Sequence, residues 1–197
     1  MEEFDIAIIG GGPAGIMAAI AASADLNIVL LEKNSSLGSK LLITGGGRCN
    51  ITNEKPIKKL LNSFHDKNFL KHSFYTFTNE MLLDLFRNRG LDFIVEDNNR
   101  VFPETEKSQD ILAILKYYLK DITIKYNYEV SDIKKEDNFI INNDIIAEKV
   151  IIATGGATFP KTGSTGDGYY LTDNPVTDIK YGLVPLITKK DLSDIAG

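Results

Sequence analysis

The sequence predicts an α/β fold in which buried strands alternate with helices. Two apolar runs that are rich in β-branched residues, 4–9 and 27–32, are typical of buried strands. Between them, the Ala-rich stretch 13–24 favours a helix with Pro13 at its first position. Strand, helix and strand in this order form a βαβ unit, whose parallel strands need both faces of the sheet covered.

The composition is that of a globular domain with a core. The chain has 197 residues, 43% of them apolar and 25% charged, which predicts one domain or two. A net charge of −5 without a basic block argues against a nucleic-acid surface. No stretch approaches the roughly 20 apolar residues of a membrane span. The single cysteine excludes an internal disulfide, and with no signal peptide apparent we expect a cytoplasmic protein.

The connection after the second strand is long and irregular. Residues 33–53 are rich in Gly, Ser and Asn apart from the apolar patch 41–43, and a loop of this length in a compact domain is usually functional or disordered. Helical periodicity then covers 57–90, where Thr78 is a candidate N-cap and Gly90 a candidate stop.

Shorter elements are predicted for the middle of the chain. The run 91–103 predicts two short strands around a turn at 97–99, and Ser108 is a candidate N-cap for a helix over 109–120. From 121 to 149 the spacing of apolar residues shortens toward every second residue, which is typical of strands. This predicts a small antiparallel meander with a hairpin turn at Asn142 and Asn143, followed by an apolar strand at Val150–Ala153.

The strongest chemical signal lies in the turn after the first strand. Gly10, Gly12 and Gly15 form the pattern G-x-G-x-x-G, with Pro13 and Ala14 between the last two glycines. Gly10 permits the tight turn, Gly12 lets a pyrophosphate approach the backbone, and Gly15 lets the helix pack near the strand. The free N–H groups and partial positive charge of the helix N-terminus then face the anion.

Glu32 completes this dinucleotide-binding pattern. It lies 20 positions after Gly12, at the end of the second strand, where a carboxylate accepts hydrogen bonds from a ribose 2′-hydroxyl. It would repel a 2′-phosphate, which argues against NADP, although Lys33 offers compensation. The residues alone leave NAD and the ADP half of FAD open, and the alternative is a Gly-rich turn without a ligand.

Six motifs spread over nearly the whole chain resemble one family. They are G-G-G-x-A-G, L-x-x-K, T-G-G-G-R-C-N-x-T-N, R-V-F-P, A-T-G-G and G-S-T-G-D-G, at 10–15, 37–40, 44–53, 100–103, 153–156 and 163–168. The pattern resembles the bacterial HI0933-like (BaiN/RdsA) family of FAD-dependent oxidoreductases, and the third motif is the most specific. The resemblance implies a Rossmann-like FAD-binding fold of the glutathione-reductase type, with a helical insertion at about 54–120 and the meander at about 121–149.

By the resemblance, the loop 33–53 wraps the flavin. The glycines at 45–47 would let backbone N–H groups reach the ring and stabilise its negative charge when it is reduced. Arg48 would pair with the pyrophosphate or a substrate anion, with a solvent-facing arginine as the alternative. Asn50 is a candidate hydrogen-bond partner of the ring or the ribityl chain. Because Cys49 has no partner cysteine, we expect a small buried packing residue near the flavin rather than a nucleophile.

The resemblance extends the expected site beyond this loop. Ala153–Gly156 would pass near the cofactor and Asp167 would hydrogen-bond it, a role compatible with capping a helix at 168–172. Val130, expected on a meander strand, resembles a position whose backbone contacts the adenine, with a strand core residue as the alternative. The predicted cofactor-binding residues are Gly10, Gly12, Pro13, Ala14, Gly15, Glu32, Lys33, Lys40, Thr44, Gly45, Gly46, Gly47, Arg48, Cys49, Asn50, Val130, Ala153, Thr154, Gly155, Gly156 and Asp167.

The implied function is that of a flavoprotein acting on small molecules. FAD would pass hydride through flavin N5, with NAD(P)H as a candidate transient donor, to reduce unsaturated ketone-like substrates or to oxidise amines. No metal site and no catalytic acid or base is predicted, and His65 and His72 are expected in surface or core positions.

The family pattern continues beyond residue 197. We therefore interpret 1–185 as an incomplete FAD-binding domain and 186–197 as the start of a missing substrate domain. The alternative function is a nucleotide-binding module without turnover of its own, which needs a second chain to supply the C-terminal half.

Overall fold

A computed structural model of the protein describes residues 1–22, 25–172 and 174–179. The strands in this part are β1 (Glu2–Ile9), β2 (Ile28–Leu31), β3 (Thr52–Asn53), β4 (Phe93–Glu96), β5 (Arg100–Pro103), β6 (Thr123–Lys125), β7 (Ile133–Lys135), β8 (Phe139–Ile141) and β9 (Ile145–Ile152). The α-helices are α1 (Pro13–Ala22), α2 (Ile57–Leu61), α3 (Lys67–Thr76), α4 (Asn79–Arg87) and α5 (Ser108–Tyr118). In the described residues, no helix is both long and apolar enough to cross a bilayer.

The central sheet is mostly parallel and has the strand order β6-β2-β1-β9-β8-β7. Strands β6, β2, β1 and β9 run parallel, and β8 and β7 continue the sheet in antiparallel fashion. The predicted βαβ unit is confirmed, with α1 between β1 and β2. Ile9 is in register with both Leu31 and Ile152, so the carboxyl ends of three neighbouring strands meet at one edge.

Both faces of the parallel sheet are buried, which explains why every residue of β2 is apolar. On one face, Ile8 and Leu30 belong to a core that includes Ile16 of α1 and Leu115 of α5. On the other face, alternate strand residues pack with the meander strands. That second core contains Ala7, Ile9, Val29, Leu31, Val130, Ile141, Ile145 and Ala147.

The helical insertion differs in detail from the sequence prediction. The helical periodicity expected over 57–90 corresponds to three separate helices, α2, α3 and α4. Thr78 caps α4 as predicted, because its hydroxyl accepts the Met81 N–H at 3.2 Å. The Ser108 cap is wrong: Lys107 occupies the N-cap position, and the Ser108 hydroxyl instead donates to the Leu42 carbonyl at 2.9 Å.

The meander is formed by β7, β8 and β9, and its hairpin turn is confirmed by positive φ angles at Asn142 and Asn143. The first strand expected there, β6, lies instead at the opposite edge, where it extends the parallel sheet next to β2. Val130 lies in the connection before β7 and not on a strand, so that placement was wrong. The stretch 186–197, the expected start of a second domain, lies outside the described residues, and the domain boundaries stay a prediction.

Candidate functional site

A cavity of about 150 Å³ lies at the carboxyl ends of β1, β2 and β9. Gly10 follows β1, Glu32 follows β2 and Ala153 follows β9, and all three line the cavity. The chain crosses from β1 to β2 on one side and later places β9 on the other side. This edge is therefore a topological switch point, where open parallel sheets bind their ligands.

The three glycines of the turn meet different surroundings. A Cβ at Gly10, whose φ is +106°, would lie 2.6 Å from the Ala153 carbonyl oxygen, and one at Gly15 would lie 1.9 Å from the Gly10 carbonyl oxygen. A Cβ at Gly12 would meet no protein atom within 4 Å. The protein's own packing therefore demands glycine at positions 10 and 15, whereas at Gly12 the space beside the backbone is free for a ligand.

The N-terminus of α1 offers donors to an anion. The helix begins at Pro13, and its first internal hydrogen bond runs from the Ile16 N–H to the Gly12 carbonyl. The N–H groups of Gly12 and Ala14 have no protein acceptor in the part of the chain that the structure describes. Free N–H groups together with the positive end of the helix dipole suit a diphosphate.

Glu32 is a buried carboxylate at the cavity wall, with an exposed fraction of 6%. Its Oε2 accepts the Gly11 N–H and its Oε1 accepts the Asn34 N–H, both at 2.7 Å. These bonds fix the carboxylate between the glycine turn and the chain that leaves β2. Each oxygen retains acceptor capacity for a ligand hydroxyl.

Lys33 and Asp167 close a second wall of the cavity. The Lys33 ammonium lies 2.6 Å from Asp167 Oδ2, and the Thr165 hydroxyl donates to Asp167 Oδ1 at 2.6 Å. Burial raises the pKa of Asp167, but the hydrogen bonds from Lys33 and Thr165 outweigh it, so the pKa lies below its usual value. In place of the helix expected at 168–172, a single 3-10 turn spans Asp167–Tyr169, and Gly166 precedes it.

The cavity brings together twelve of the predicted cofactor-binding residues, which are Gly10, Gly12, Pro13, Ala14, Glu32, Lys33, Lys40, Val130, Ala153, Thr154, Gly155 and Asp167. Sequence reasoning missed Asn34, Gly38, Ser39, Tyr128, Thr162, Gly163 and Ser164, which also line it. Gly163 and Ser164 belong to the motif at 163–168 and could have been named from it. Asn34 and Tyr128 carry no such signal.

The structure places the glycine-rich loop 44–50, together with Gly15 and Gly156, outside the cavity lining. Gly45 and Gly46 have φ angles of +61° and +68°, within a kinked pair of 3-10 turns at Leu41–Gly47. The Thr44 hydroxyl donates to the Lys40 carbonyl at 3.0 Å, inside the same turn. The left-handed backbone is by itself a sufficient reason for these two glycines.

Arg48 forms ion pairs within the protein. Its guanidinium pairs with Glu96 at the end of β4 and lies 2.5 Å from Glu106 Oε1, and it stacks 4.3 Å above the Phe102 ring. The hydrogen bond from Arg48 lowers the pKa of Glu96 despite partial burial. This cation is thus compensated by two carboxylates and does not line the cavity.

Cys49 is buried in the core on the α1 side of the sheet, with an exposed fraction of 1%. Burial raises the pKa of its thiol to about 11. Asn50, His65 and His72 are exposed. In the described ranges, no group of three or more His, Cys, Asp or Glu side chains is arranged to hold a metal ion.

The parallel sheet, the glycine turn, the helix N-terminus and the acid after β2 together define a Rossmann-type dinucleotide-binding domain. A family model, the HI0933-like protein Rossmann domain, matches residues 4–181. The chain belongs to this family, which confirms the resemblance and the fold class that the sequence predicted.

Two characterised relatives align with almost the whole chain. The 3-dehydro-bile acid delta(4,6)-reductase of Clostridium scindens is 32% identical over 94% of this chain and 48% of that protein. The ribosomal RNA dihydrouridine synthase of Escherichia coli is 30% identical over 98% of this chain and 50% of that protein. The chain therefore spans about half the length of these relatives.

Solved structures share the fold. A flavocytochrome c3 fumarate reductase in its open conformation superposes with a TM-score of 0.59 at 21% identity, over 81% of this chain and 35% of that one. The 3-ketosteroid-delta4-(5alpha)-dehydrogenase of Rhodococcus jostii superposes with a TM-score of 0.58 at 16% identity, over 79% and 46% respectively.

Proposed function

We propose that the chain is the cofactor-binding part of an FAD-dependent oxidoreductase. The observation that carries the proposal is the free space beside Gly12, in the same cavity as the N-terminus of α1 and the Glu32 carboxylate. Membership of the HI0933-like family supports FAD over NAD at this site.

Different residues of the cavity would contact different parts of the cofactor. The N–H groups of Gly12 and Ala14 would donate to the diphosphate, and Glu32 would accept a hydrogen bond from the adjacent ribose. Val130, which is 8% exposed and lines the cavity, would contact the adenine. We assign the residues that line the cavity to the ADP half of FAD. Contacts of the loop 44–50 with the flavin stay a prediction, except for Arg48, whose guanidinium is engaged by Glu96 and Glu106.

The bound flavin would supply hydride acceptance and donation at N5, with NAD(P)H as the transient electron donor. The substrate class that we propose is small unsaturated ketones, with amines as a second class. The relative named as a 3-dehydro-bile acid reductase supports the first. We assign no described residue as a catalytic acid or base, and we propose that the part which the longer relatives have in addition completes the substrate site.

The test is an FAD titration of the purified full chain, followed by visible absorbance and by NAD(P)H oxidation. We expect a saturable yellow complex. If FAD saturates the protein but no reductant bleaches the flavin, the alternative of a binding module that needs a second chain is favoured. A colourless protein that neither FAD nor ADP saturates would contradict the proposal.

We also propose a cytoplasmic location, because the single cysteine suits a reducing compartment. Fractionation of cells that express the protein tests this directly. Recovery outside the cytoplasmic fraction would contradict it.

A further inference from the structure

Among the described residues that line the cavity, Tyr128 alone is aromatic. Its side chain is half-buried and packs against the second core, which includes Leu31 and Val130. An aromatic ring offers a flat base a stacking surface that the other side chains of the lining do not offer. Tyr128 is therefore the residue of this cavity whose chemistry suits the base of a nucleotide.

The backbone of Tyr128 is bonded to the residue that we assign to the ribose. Its N–H donates to the Glu32 carbonyl oxygen at 3.0 Å, and the Glu32 N–H donates to the Lys125 carbonyl oxygen at 2.9 Å. The Asn127 N–H also donates to the Asn34 carbonyl oxygen, at 3.0 Å. These three bonds hold residues 125–128 along the chain that leaves β2. The base of a nucleotide whose ribose lies at Glu32 is therefore within reach of Tyr128.

Tyr128 lies on the side of the sheet away from α1. The helix packs through Ile16 in the core on one face, whereas Tyr128 and Val130 pack with the core on the other face. Glu32 connects the two sides, because its carboxylate accepts the Gly11 N–H and its carbonyl accepts the Tyr128 N–H. A nucleotide with its diphosphate at α1 and its ribose at Glu32 therefore extends its base toward Tyr128 and Val130.

The ring of Tyr128 is also fixed at its hydroxyl end. The hydroxyl donates to Asp144 Oδ1, immediately before β9. Because the backbone and the hydroxyl are both engaged, the side chain has little rotational freedom left to lose when a ligand binds. Its hydroxyl proton is used within the protein, so recognition of a base would run through the face of the ring.

We propose that Tyr128 stacks on the adenine of FAD and makes the site prefer a purine. This inference rests on the proposed function, because it takes the positions of the diphosphate and the ribose from α1 and Glu32. It adds a contact through the ring to the contact assigned to Val130. A purine offers a ring more stacking area than a pyrimidine does, so Tyr128 should favour ADP over UDP.

The test is isothermal titration calorimetry of the purified full chain with ADP and, separately, with UDP, which carries the same ribose and diphosphate. Tyr128→Ala should weaken ADP binding about tenfold and UDP binding less than about threefold. The preference for ADP over UDP should therefore fall at least about threefold. Tyr128→Phe retains the ring and should bind ADP within about threefold of the wild type. Tyr128→Leu retains apolar packing against the core without the ring, and should reproduce the loss if the alanine variant folds poorly.

Tyr126→Ala is the matched control, because it removes the same side chain two residues earlier. Tyr126 is 41% exposed and is not among the described residues that line the cavity. This variant should bind both nucleotides as the wild type does. If the wild type binds neither ADP nor FAD, the proposed function fails and this inference with it. If the wild type binds ADP and Tyr128→Leu binds it as tightly, or loses ADP and UDP affinity equally, the assignment of Tyr128 alone is overturned.

Discussion

Glu32 accepts the Gly11 N–H at 2.7 Å, so the acid after β2 is bonded directly to the glycine turn after β1. The same carboxylate accepts the Asn34 N–H at 2.7 Å. The residue that we assign to the ribose therefore also holds together the two loops that form the cavity. We therefore expect substitution of Glu32 to lower both FAD affinity and stability, whereas other substitutions should lower mainly one of the two.

Glu32→Ala should weaken FAD and also destabilise the fold. Loss of a hydrogen bond to a charged acceptor should raise the FAD dissociation constant about tenfold. The buried Gly11 N–H and the partly buried Asn34 N–H lose their acceptor, so the free energy of unfolding should fall by about 1–3 kcal/mol. FAD titration and urea denaturation measure the two effects. Glu148→Ala, at an exposed position of β9, is the control and should change neither FAD affinity nor stability. Unchanged FAD affinity in Glu32→Ala would contradict the assignment of Glu32 to the ribose.

Gly12→Ala should lower FAD affinity with little change in stability, whereas Gly15→Ala should lower stability. The new Cβ at position 12 enters free space, so stability should change by less than about 0.5 kcal/mol while FAD affinity falls about tenfold. At position 15 the Cβ would lie 1.9 Å from the Gly10 carbonyl oxygen, which should cost about 1–3 kcal/mol of stability. Thermal denaturation and FAD titration of both variants distinguish these cases. Normal FAD binding by a folded Gly12→Ala protein would contradict the site.

Asp167→Asn should lower stability at neutral pH by about 1 kcal/mol, because it removes the charge that pairs with Lys33. The pKa of Asp167 is depressed in the folded state, so its contribution is present above the pKa of an unfolded aspartate, about 3.9, and is lost as the pH falls through the folded pKa. The stability difference between wild type and variant should therefore shrink below about pH 4. Denaturation curves at several pH values test this, and a difference that grows with acid would contradict it.

Arg48→Ala should destabilise the protein with little effect on FAD. It removes the only ion pair of Glu106 in the described residues, leaves Glu96 with the longer ion pair to Arg100 at 3.6 Å, and removes the contact with Phe102. We expect a loss of about 1–3 kcal/mol in urea denaturation, with FAD affinity within about twofold of wild type. As a control, Arg87→Ala removes two more exposed ion pairs, those with Glu80 and Asp84. It should lower the free energy of unfolding by less than about 1 kcal/mol. A large loss of FAD affinity with normal stability would contradict this and would indicate that Arg48 contacts the cofactor.

Cys49 should react slowly with thiol reagents in the folded protein. Its pKa of about 11 leaves roughly one thiol in a thousand ionised at pH 8, compared with about a quarter at the ordinary pKa of 8.5. The rate of thiol modification at pH 8 should therefore be at least about 200-fold lower than in urea-unfolded protein. A rate near that of the unfolded chain would show that the thiol is accessible and reactive.

The parts of the site that follow from local sequence were predictable, and those that depend on distant partners were not. The glycine turn, α1 and Glu32 lie within 32 consecutive residues, where each spacing has a direct geometric meaning. The sequence could not show that Arg48 pairs with Glu96 and Glu106, because these partners are remote in sequence and meet Arg48 only in the fold.

The same distinction applies to the secondary structure. The hairpin at Asn142 and Asn143 follows from residues that tolerate positive φ, and it is confirmed. The position of β6 at the edge of the sheet depends on its pairing with β2. The period-two pattern of its residues predicts a strand but does not predict which strand it pairs with.

A crystal structure of the purified chain with FAD tests most directly whether the turn after β1 binds the diphosphate. We expect the diphosphate to lie against the N–H groups of Gly12 and Ala14, and Glu32 to accept a hydrogen bond from the adenosine ribose. Density for the adenosine at another edge of the sheet, or a diphosphate that does not contact Gly12, would contradict it.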